Sequence, residues 1–263
     1  LPTRPTSYAL ASRTFTGAEL MLLTNAVQSS RFLTQRMANR LVGGIRTLGS
    51  RHQVRSLTQS VSVEGRIKMQ NESVFHHVDT IHEAIDQRRK IAFRYMKYDA
   101  RKQLRAQGDG RIYCETPVHL IYSEGCYYLI AYNDKHASLT TYRVDRMQGL
   151  RITDEPVVRN EVTATFDAAA YSARTFSMYG GDTCAVVLRV QESVMSAMID
   201  RFGKDVDATA LDDGTARLYA TVAPSPVFFG WLAQFGPAVR IESPSTLAAA
   251  YADYLRTILE DYA

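Results

Sequence analysis

Apolar positions recur at helical spacing through the front third of the chain and change to alternation near Lys90. Thr16-Gly-Ala-Glu19 has the form of a capping box, with Phe15 and Leu20 placed as a hydrophobic staple. It opens a predicted helix with Leu20, Leu23 and Val27 inward. A second helix is predicted after Thr34, with Met37, Leu41, Ile45 and Leu48 on one stripe, Arg36 and Arg40 off it, and Gly49 at its end. From Ser50 to Asn71 the pattern is polar and aperiodic apart from Val61-Ser-Val63, which suits a loop with at most one short strand. Ser73 then introduces a third helix with Val74, Val78, Ile81 and Ile85 at helical spacing.

Past Lys90 the period is 2. Ile91, Phe93 and Tyr95 alternate with Ala92, Arg94 and Met96, and a loop rich in Lys, Arg and Gly follows. Strands are predicted at Ile112 to Tyr122, Cys126 to Tyr132, Leu139 to Val144 and Leu150 to Thr153, with a tight turn at Ser123 to Gly125. Short strands so closely spaced are best accommodated by a small closed barrel, because closure leaves fewest open edges. The last third has another order: strand, helix, strand, Asp212-Asp-Gly214 turn, strand, helix, strand and a final helix with Leu247, Tyr251, Tyr254 and Ile258 inward. That is the order of a ferredoxin-like sandwich. The fold class is therefore α+β, in three parts: helices over 1–76, a barrel over 77–160 and a sandwich with a C-terminal helix over 161–263.

Charge adds an asymmetry to this plan. Residues 1–76 carry ten basic and three acidic side chains, net +7; residues 77–160 carry 14 and 11, net +3; residues 161–263 carry 7 and 13, net −6. A basic front suits a polyanionic partner, and so do solvated arginines on helix faces. The acidic last third is expected to be a poor nucleic-acid platform. Cys114, Cys126 and Cys184 are widely spaced and lack CxxC geometry, so they are expected to be core thiols rather than a disulfide frame or a metal site. No run of about 18 apolar residues suggests a membrane span, and no leader-like segment opens the chain, so a cytoplasmic protein is expected. The first residue is Leu1 rather than Met, which suggests a piece of a longer protein.

The most informative stretch is Thr141-Tyr-Arg-Val-Asp-Arg-Met147. On a regular strand Arg143 and Asp145 share a face and Arg146 falls on the other, unless the chain bends after Val144. If it bends, two guanidinium forks can converge on an anion. The alternative is a solvated strand edge with Arg146 paired to Asp145 or a neighbouring carboxylate. The tyrosines 122, 127, 128 and 132 suit core and rim positions or base stacking. Arg88-Arg89-Lys90 and the basic loop at 101–105 suit a solvated helix end and loop or phosphate contacts. Trp231, with Phe228 and Leu232, is expected in the core. No metal-ligand spacing, nucleophile elbow or paired acid and base stands out, so no enzyme, metal or cofactor is expected.

The segment with IAFRYMKYD, TPVHLIY, CYYLIAY and YRVDRM resembles the WYL domain, with Tyr127-Tyr128-Leu129 at the name motif and Tyr in place of Trp. FSMYGGD and FFGWLAQFGPAVRIESP resemble its C-terminal extension, WCX. The resemblance implies an Sm-like barrel in a bacterial transcriptional regulator, with the front helices acting as a linker from a winged helix-turn-helix not contained in this sequence. It further implies a ligand site at Arg143 and Arg146, completed by His119 as a switchable donor and Tyr95 as a stacking ring. The mix suits a nucleotide or single-stranded nucleic acid as effector. A homodimer that meets operator DNA through the additional N-terminal domain would follow. The competing reading is a stand-alone module for single-stranded nucleic acid with no role in transcription.

Overall fold

The computed structural model describes residues 14–50 and 73–262. The expected polar loop, with its strand at Val61-Ser-Val63, lies outside the described residues apart from its first position. The described residues fall into two compact units: 14–50 and 73–76 with 125–127, and 77–124 with 128–262.

In the first unit, α1 (Gly17–Ser29) starts at the anticipated capping box, in which the Glu19 carboxylate and the Thr16 hydroxyl each accept from the other residue's backbone N–H. The buried positions of α1 are Leu20 and Thr24, and Leu23 is exposed, contrary to the expected stripe. The Thr24 hydroxyl donates to the Leu20 carbonyl at 2.8 Å, so a polar side chain can occupy a buried helix position without an open hydrogen bond. Helix α2 (Gln35–Thr47) follows the Thr34 cap and buries Ala38 and Val42, while Leu41 and Leu48 are exposed. Its contact face is thus one position round from the expected one. Phe32 is buried, with ring centroids 4.8 Å from Phe75 and 4.9 Å from Tyr127.

Helix α3 (Val74–Gln87) buries Val74, Ile81 and Ala84 and leads into β1 (Arg89–Tyr98). The remaining strands of the first sheet are β2 (Leu104–Ala106), β3 (Tyr113–Ser123), β4 (Cys126–Asn133), β5 (Ser138–Arg143) and β6 (Met147–Pro156). β2 lies within the basic segment expected to be loop. The order β2-β1-β3-β4-β5, with β6 also pairing β1, makes a curled antiparallel sheet, half of a barrel. Register shifts in the β1–β6 pairing, between Arg89 and Ile91 and between Ala92 and Arg94, supply local bends. The consecutive residues Ile91, Ala92 and Phe93 are all buried, so both faces of β1 are covered and the expected alternation fails at Ala92. The β3–β4 hairpin turns on Glu124 and Gly125, both with positive φ, the conformation of a two-residue turn matched to strand twist.

A strap with two short helices, α4 (Glu161–Ala164) and α5 (Ala168–Arg174), leads to the second sheet. There β7 (Cys184–Gln191), α6 (Met195–Phe202), β8 (Asp207–Ala210), β9 (Thr215–Val222), α7 (Pro226–Ala233), β10 (Val239–Ser243) and α8 (Ser245–Glu260) follow the anticipated order. The strands lie β10-β7-β9-β8, all neighbours antiparallel. Val186, Leu188, Leu218 and Ile241 meet Met198, Phe228, Leu232 and Leu247 in one core, which Phe176 enters from the strap. Trp231 packs at the edge of this core against Phe176, Phe202 and Phe235. Ile258 is exposed rather than inward, since only the first part of α8 covers the sheet. Of the cysteines only Cys126 is buried; Cys184 is half-buried and Cys114 is exposed, which corrects the expectation of three core thiols.

The half-barrel encloses one acidic group. Glu115 is 2% exposed, and its Oε1 accepts from Asn133 Nδ2 at 2.8 Å and from the Tyr142 hydroxyl at 3.0 Å. Its Oε2 is buried without a hydrogen-bond partner among the described residues. Burial pushes its pKa above the ordinary carboxylate value, and the two donors only partly offset that. The folded state therefore holds this proton more tightly than the unfolded chain does. The associated stability is complete below the unfolded pKa and is lost as pH rises through the raised folded value. In urea titrations, Glu115→Gln should lack this decline and gain on the wild type as pH increases. Glu115→Leu, which strands the Tyr142 hydroxyl and the Asn133 amide, should cost about 2–4 kcal/mol at low pH, and less as pH rises and the wild type loses its own contribution.

Candidate ligand site

The chain bends one residue earlier than the alternation suggested. β5 ends at Arg143, and Val144–Arg146 forms a single 3-10 turn before β6 begins. Val144 is fully buried, so the turn is anchored by an apolar side chain while Asp145 and Arg146 are carried to its half-exposed side. The Val144 carbonyl lies 3.4 Å from His77 Nδ1.

Within this turn the two arginines differ. Arg143 Nε and Nη2 each donate to one Asp145 carboxylate oxygen at 3.0 Å, a bidentate fork. The Arg143 backbone N–H donates to the Tyr95 hydroxyl at 3.0 Å. Arg146 is half-buried, and among the described residues no ion pair or side-chain hydrogen bond engages it. Tyr95 is coupled to the whole group. Burial raises its pKa first of all; the bond from the Arg143 N–H and the charge of Arg146 oppose the rise, and the Asp145 charge adds to it.

Tyr95 is also the outer member of an aromatic cluster. Its ring lies 5.2 Å from Tyr142 and 6.4 Å from Tyr113, and Phe93 stacks on Tyr113 at 5.7 Å. The cluster fixes the phenol while the hydroxyl points at the turn. The geometry can therefore present one fixed guanidinium, one guanidinium without a carboxylate partner and one phenol to an anion.

His119 is not part of this group. It is exposed on β3, with its ring 6.0 Å from Phe166, which in turn lies 5.4 Å from Tyr171. The Tyr171 hydroxyl hydrogen-bonds Thr141 Oγ1 at 2.8 Å. Thr141 and Tyr142 are successive strand residues and face opposite ways, so His119 belongs with the outer face of β5 and Tyr95 with the inner one. A cavity of about 770 Å³ on that outer side is lined by Thr141, Tyr171, Met178 and Gly180, among others. A Cβ at position 180 would run into the Tyr171 hydroxyl, so a larger residue there would have to displace that ring.

Three of the other basic candidates have structural partners. Lys90 pairs with Asp134 at 2.8 Å and Glu155 at 3.2 Å, Arg89 donates to the Asp154 carbonyl, and Arg105 pairs with Asp99 at 2.6 Å. Of the tyrosines, Tyr128 and Tyr132 are buried and Tyr122 is exposed. What the sequence did not disclose is the buried Glu115–Tyr142–Asn133 group, because its members are far apart in the chain. A glutamate at an inward strand position was the available signal.

Tyr95→Phe should remove the acceptor for the Arg143 N–H and cost about 1–2 kcal/mol in urea unfolding. Tyr98→Phe, at a 61% exposed position on the same strand, should cost nothing measurable. Equal effects would mean that the Tyr95 hydroxyl does not hold the turn.

Residues 76–152 match the WYL domain family and residues 182–259 match the WCX domain family. No curated protein matches the chain. Among solved structures it is similar to proteasome accessory factor B/C (PafBC) of Arthrobacter aurescens, with 20% identity and a TM-score of 0.34 over 94% of this chain and 36% of that one. It is also similar to a CRISPR Cas-related protein, with 12% identity and a TM-score of 0.45 over 93% of this chain and 71% of that one. The chain thus spans about a third of the PafBC chain. With β1 to β5 and the first part of β6 inside the first match and the second sheet inside the other, this chain carries a WYL domain followed by a WCX domain.

Proposed function

We propose that the chain is the ligand-sensing and dimerising region of a bacterial transcriptional regulator, and that its WYL barrel binds an anionic effector, a nucleotide or single-stranded nucleic acid. The observation that carries this reading is Arg146, a half-buried residue whose guanidinium has no carboxylate partner among the described residues, set beside the Arg143–Asp145 fork and the Tyr95 hydroxyl. A guanidinium outside any ion pair keeps its N–H donors available, and an incoming phosphate can take two of them. Asp145 fixes Arg143 and also repels an anion, so Arg146 supplies the main attraction. His119 is left out of the site, because it keeps company with Phe166 on the other face.

The finer fold assignment belongs to the same proposal. The curled sheet, with its 3-10 turn before the last strand, supports an Sm-like barrel, and the second sheet's order supports a ferredoxin-like sandwich. The role is binding without catalysis, in the cytoplasm, as a homodimer. Operator DNA would be met by a domain outside this sequence. No helix among the described residues is long and apolar enough to cross a membrane.

Fluorescence anisotropy with a short labelled oligothymidylate and with a labelled nucleotide tests the site. Arg146→Ala should weaken binding more than tenfold, equivalent to loss of one charge-assisted contact of about 1.5–3 kcal/mol. Arg151→Ala, at an exposed position on β6, should leave it within twofold. The salt dependence of binding should also become shallower by about one phosphate contact in Arg146→Ala. Equal losses in both variants would indicate general charge, and no loss in either would make the turn purely structural. Light scattering at tens of micromolar, an order of magnitude set by ordinary association affinities, should give a dimer; a monomer would count against the dimerising role.

A further inference from the structure

Three arginines form one row across the second sheet. Pairing sets Arg240 on β10 opposite Arg189 on β7, and Arg189 opposite Arg217 on β9. Paired residues project to the same face, and these alternate with Leu188, Val190, Leu218, Val239 and Ile241, which fill the core. The row therefore lies on the sheet's other face. Neighbouring strands are about 4.8 Å apart, and like charges directly opposite one another destabilise a sheet.

Two carboxylates partly answer the three cations. Glu242 accepts from Arg189 at 3.2 Å and from Arg217 at 2.7 Å, and Asp213 accepts from the other terminal nitrogen of Arg189. Arg240 is 71% exposed and comes no closer to Glu242 than 4.0 Å. Three positive charges against two negative ones leave one over, at Arg240. Of the seven basic residues in 161–263, three are in this row, although that segment is acidic overall. A groove of about 400 Å³ adjoins it, lined by Arg189, Gln191, Thr215, Pro237, Ala238 and Arg240.

We propose that this row is a second anion site, which takes a chain of phosphate groups along the direction from Arg240 to Arg217. Glu242 and Asp213 hold Arg189 and Arg217 in place, so little side-chain freedom remains to be lost on binding. Arg240 and the Gln191 amide bring unused donors to the groove. A single carboxylate would meet one guanidinium, whereas successive phosphates can meet Arg240 through two N–H donors and the remaining N–H groups of Arg189 and Arg217 beside it. The site is separate from the barrel turn and stands whether or not that turn binds a ligand.

The test uses the whole chain in the Arg146→Ala background, which removes the barrel's main attraction, with inorganic tripolyphosphate measured by calorimetry at low salt. Binding should persist in that background and fall at least tenfold on adding Arg240→Glu. It should fall at least threefold on adding Arg240→Gln, an uncharged change at an exposed position that should leave the thermal midpoint unchanged or raised. Arg256→Glu, at an exposed arginine on α8 that is paired with Asp253, is the charge-matched control and should change binding less than twofold. No tripolyphosphate binding, wild-type-like binding in Arg240→Gln, or an equal loss in Arg256→Glu would overturn the proposal. A parallel titration with oligothymidylate separates the sources. Loss in Arg240→Glu there too would mark a nucleic-acid backbone, and loss confined to tripolyphosphate a small polyphosphate.

Discussion

The geometry of the half-barrel depends on the chain turning after Arg143. A strand continued through Val144 would have alternated its side chains and left Arg146 away from Arg143 and Asp145. The 3-10 turn instead buries Val144 completely and starts β6, which then pairs with β1. Burying a valine side chain is worth roughly 1.5–2 kcal/mol, and the hydrogen bond from the Arg143 N–H to Tyr95 adds about 1 kcal/mol net. These are modest quantities, but they act on three consecutive residues and so fix one local conformation. The Arg143–Asp145 fork then needs no further adjustment, because both side chains leave the same short turn.

The turn is tied to the interior through aromatic rings. Tyr95 bonds the turn at its hydroxyl and meets Tyr142 at its ring, and Tyr142 in turn donates to the buried Glu115. Aromatic pairs at these separations contribute about 0.5–1.5 kcal/mol each beyond their buried area. A carboxylate inside such a cluster is destabilising when ionised and useful as a hydrogen-bond acceptor, since it gives a buried tyrosine hydroxyl and a buried amide a common partner. The polar group at the centre and the candidate site at the rim are therefore parts of one packed assembly.

Charge behaves differently at the two scales at which it can be counted. Segment totals describe the last third as acidic, which made it an unpromising partner for anions. Strand pairing nevertheless gathers Arg189, Arg217 and Arg240 into one row, while many of the acidic residues lie on helices and turns elsewhere. The field at a surface is set by the nearest few charges, screened over about 10 Å at 0.1 M salt, not by the sum over a domain. The converse holds in the half-barrel, where Lys90, Arg89 and Arg105 add to the basic count but are engaged by Asp134, Glu155, Asp99 and a carbonyl.

The sequence by itself determined the order of helices and strands, because period, capping and turn residues act locally. The Thr16–Glu19 box, the Glu124-Gly125 hairpin and the strand-helix alternation from Cys184 onward all depend on residues only a few positions apart. It determined less about which face of a helix is buried. Leu23, Leu41 and Ile258 had the right spacing but are exposed, since the face is chosen by what packs against it. Ala92 is buried for the same reason, with both faces of its strand covered. At the candidate site the sequence offered Arg143, Arg146, Tyr95 and His119 together. Only the tertiary structure placed the first three at one turn and His119 with Phe166 on the far side, because strand register and face are set by long-range pairing. The same pairing alone decided that three arginines 23 or more residues apart would stand side by side across three strands.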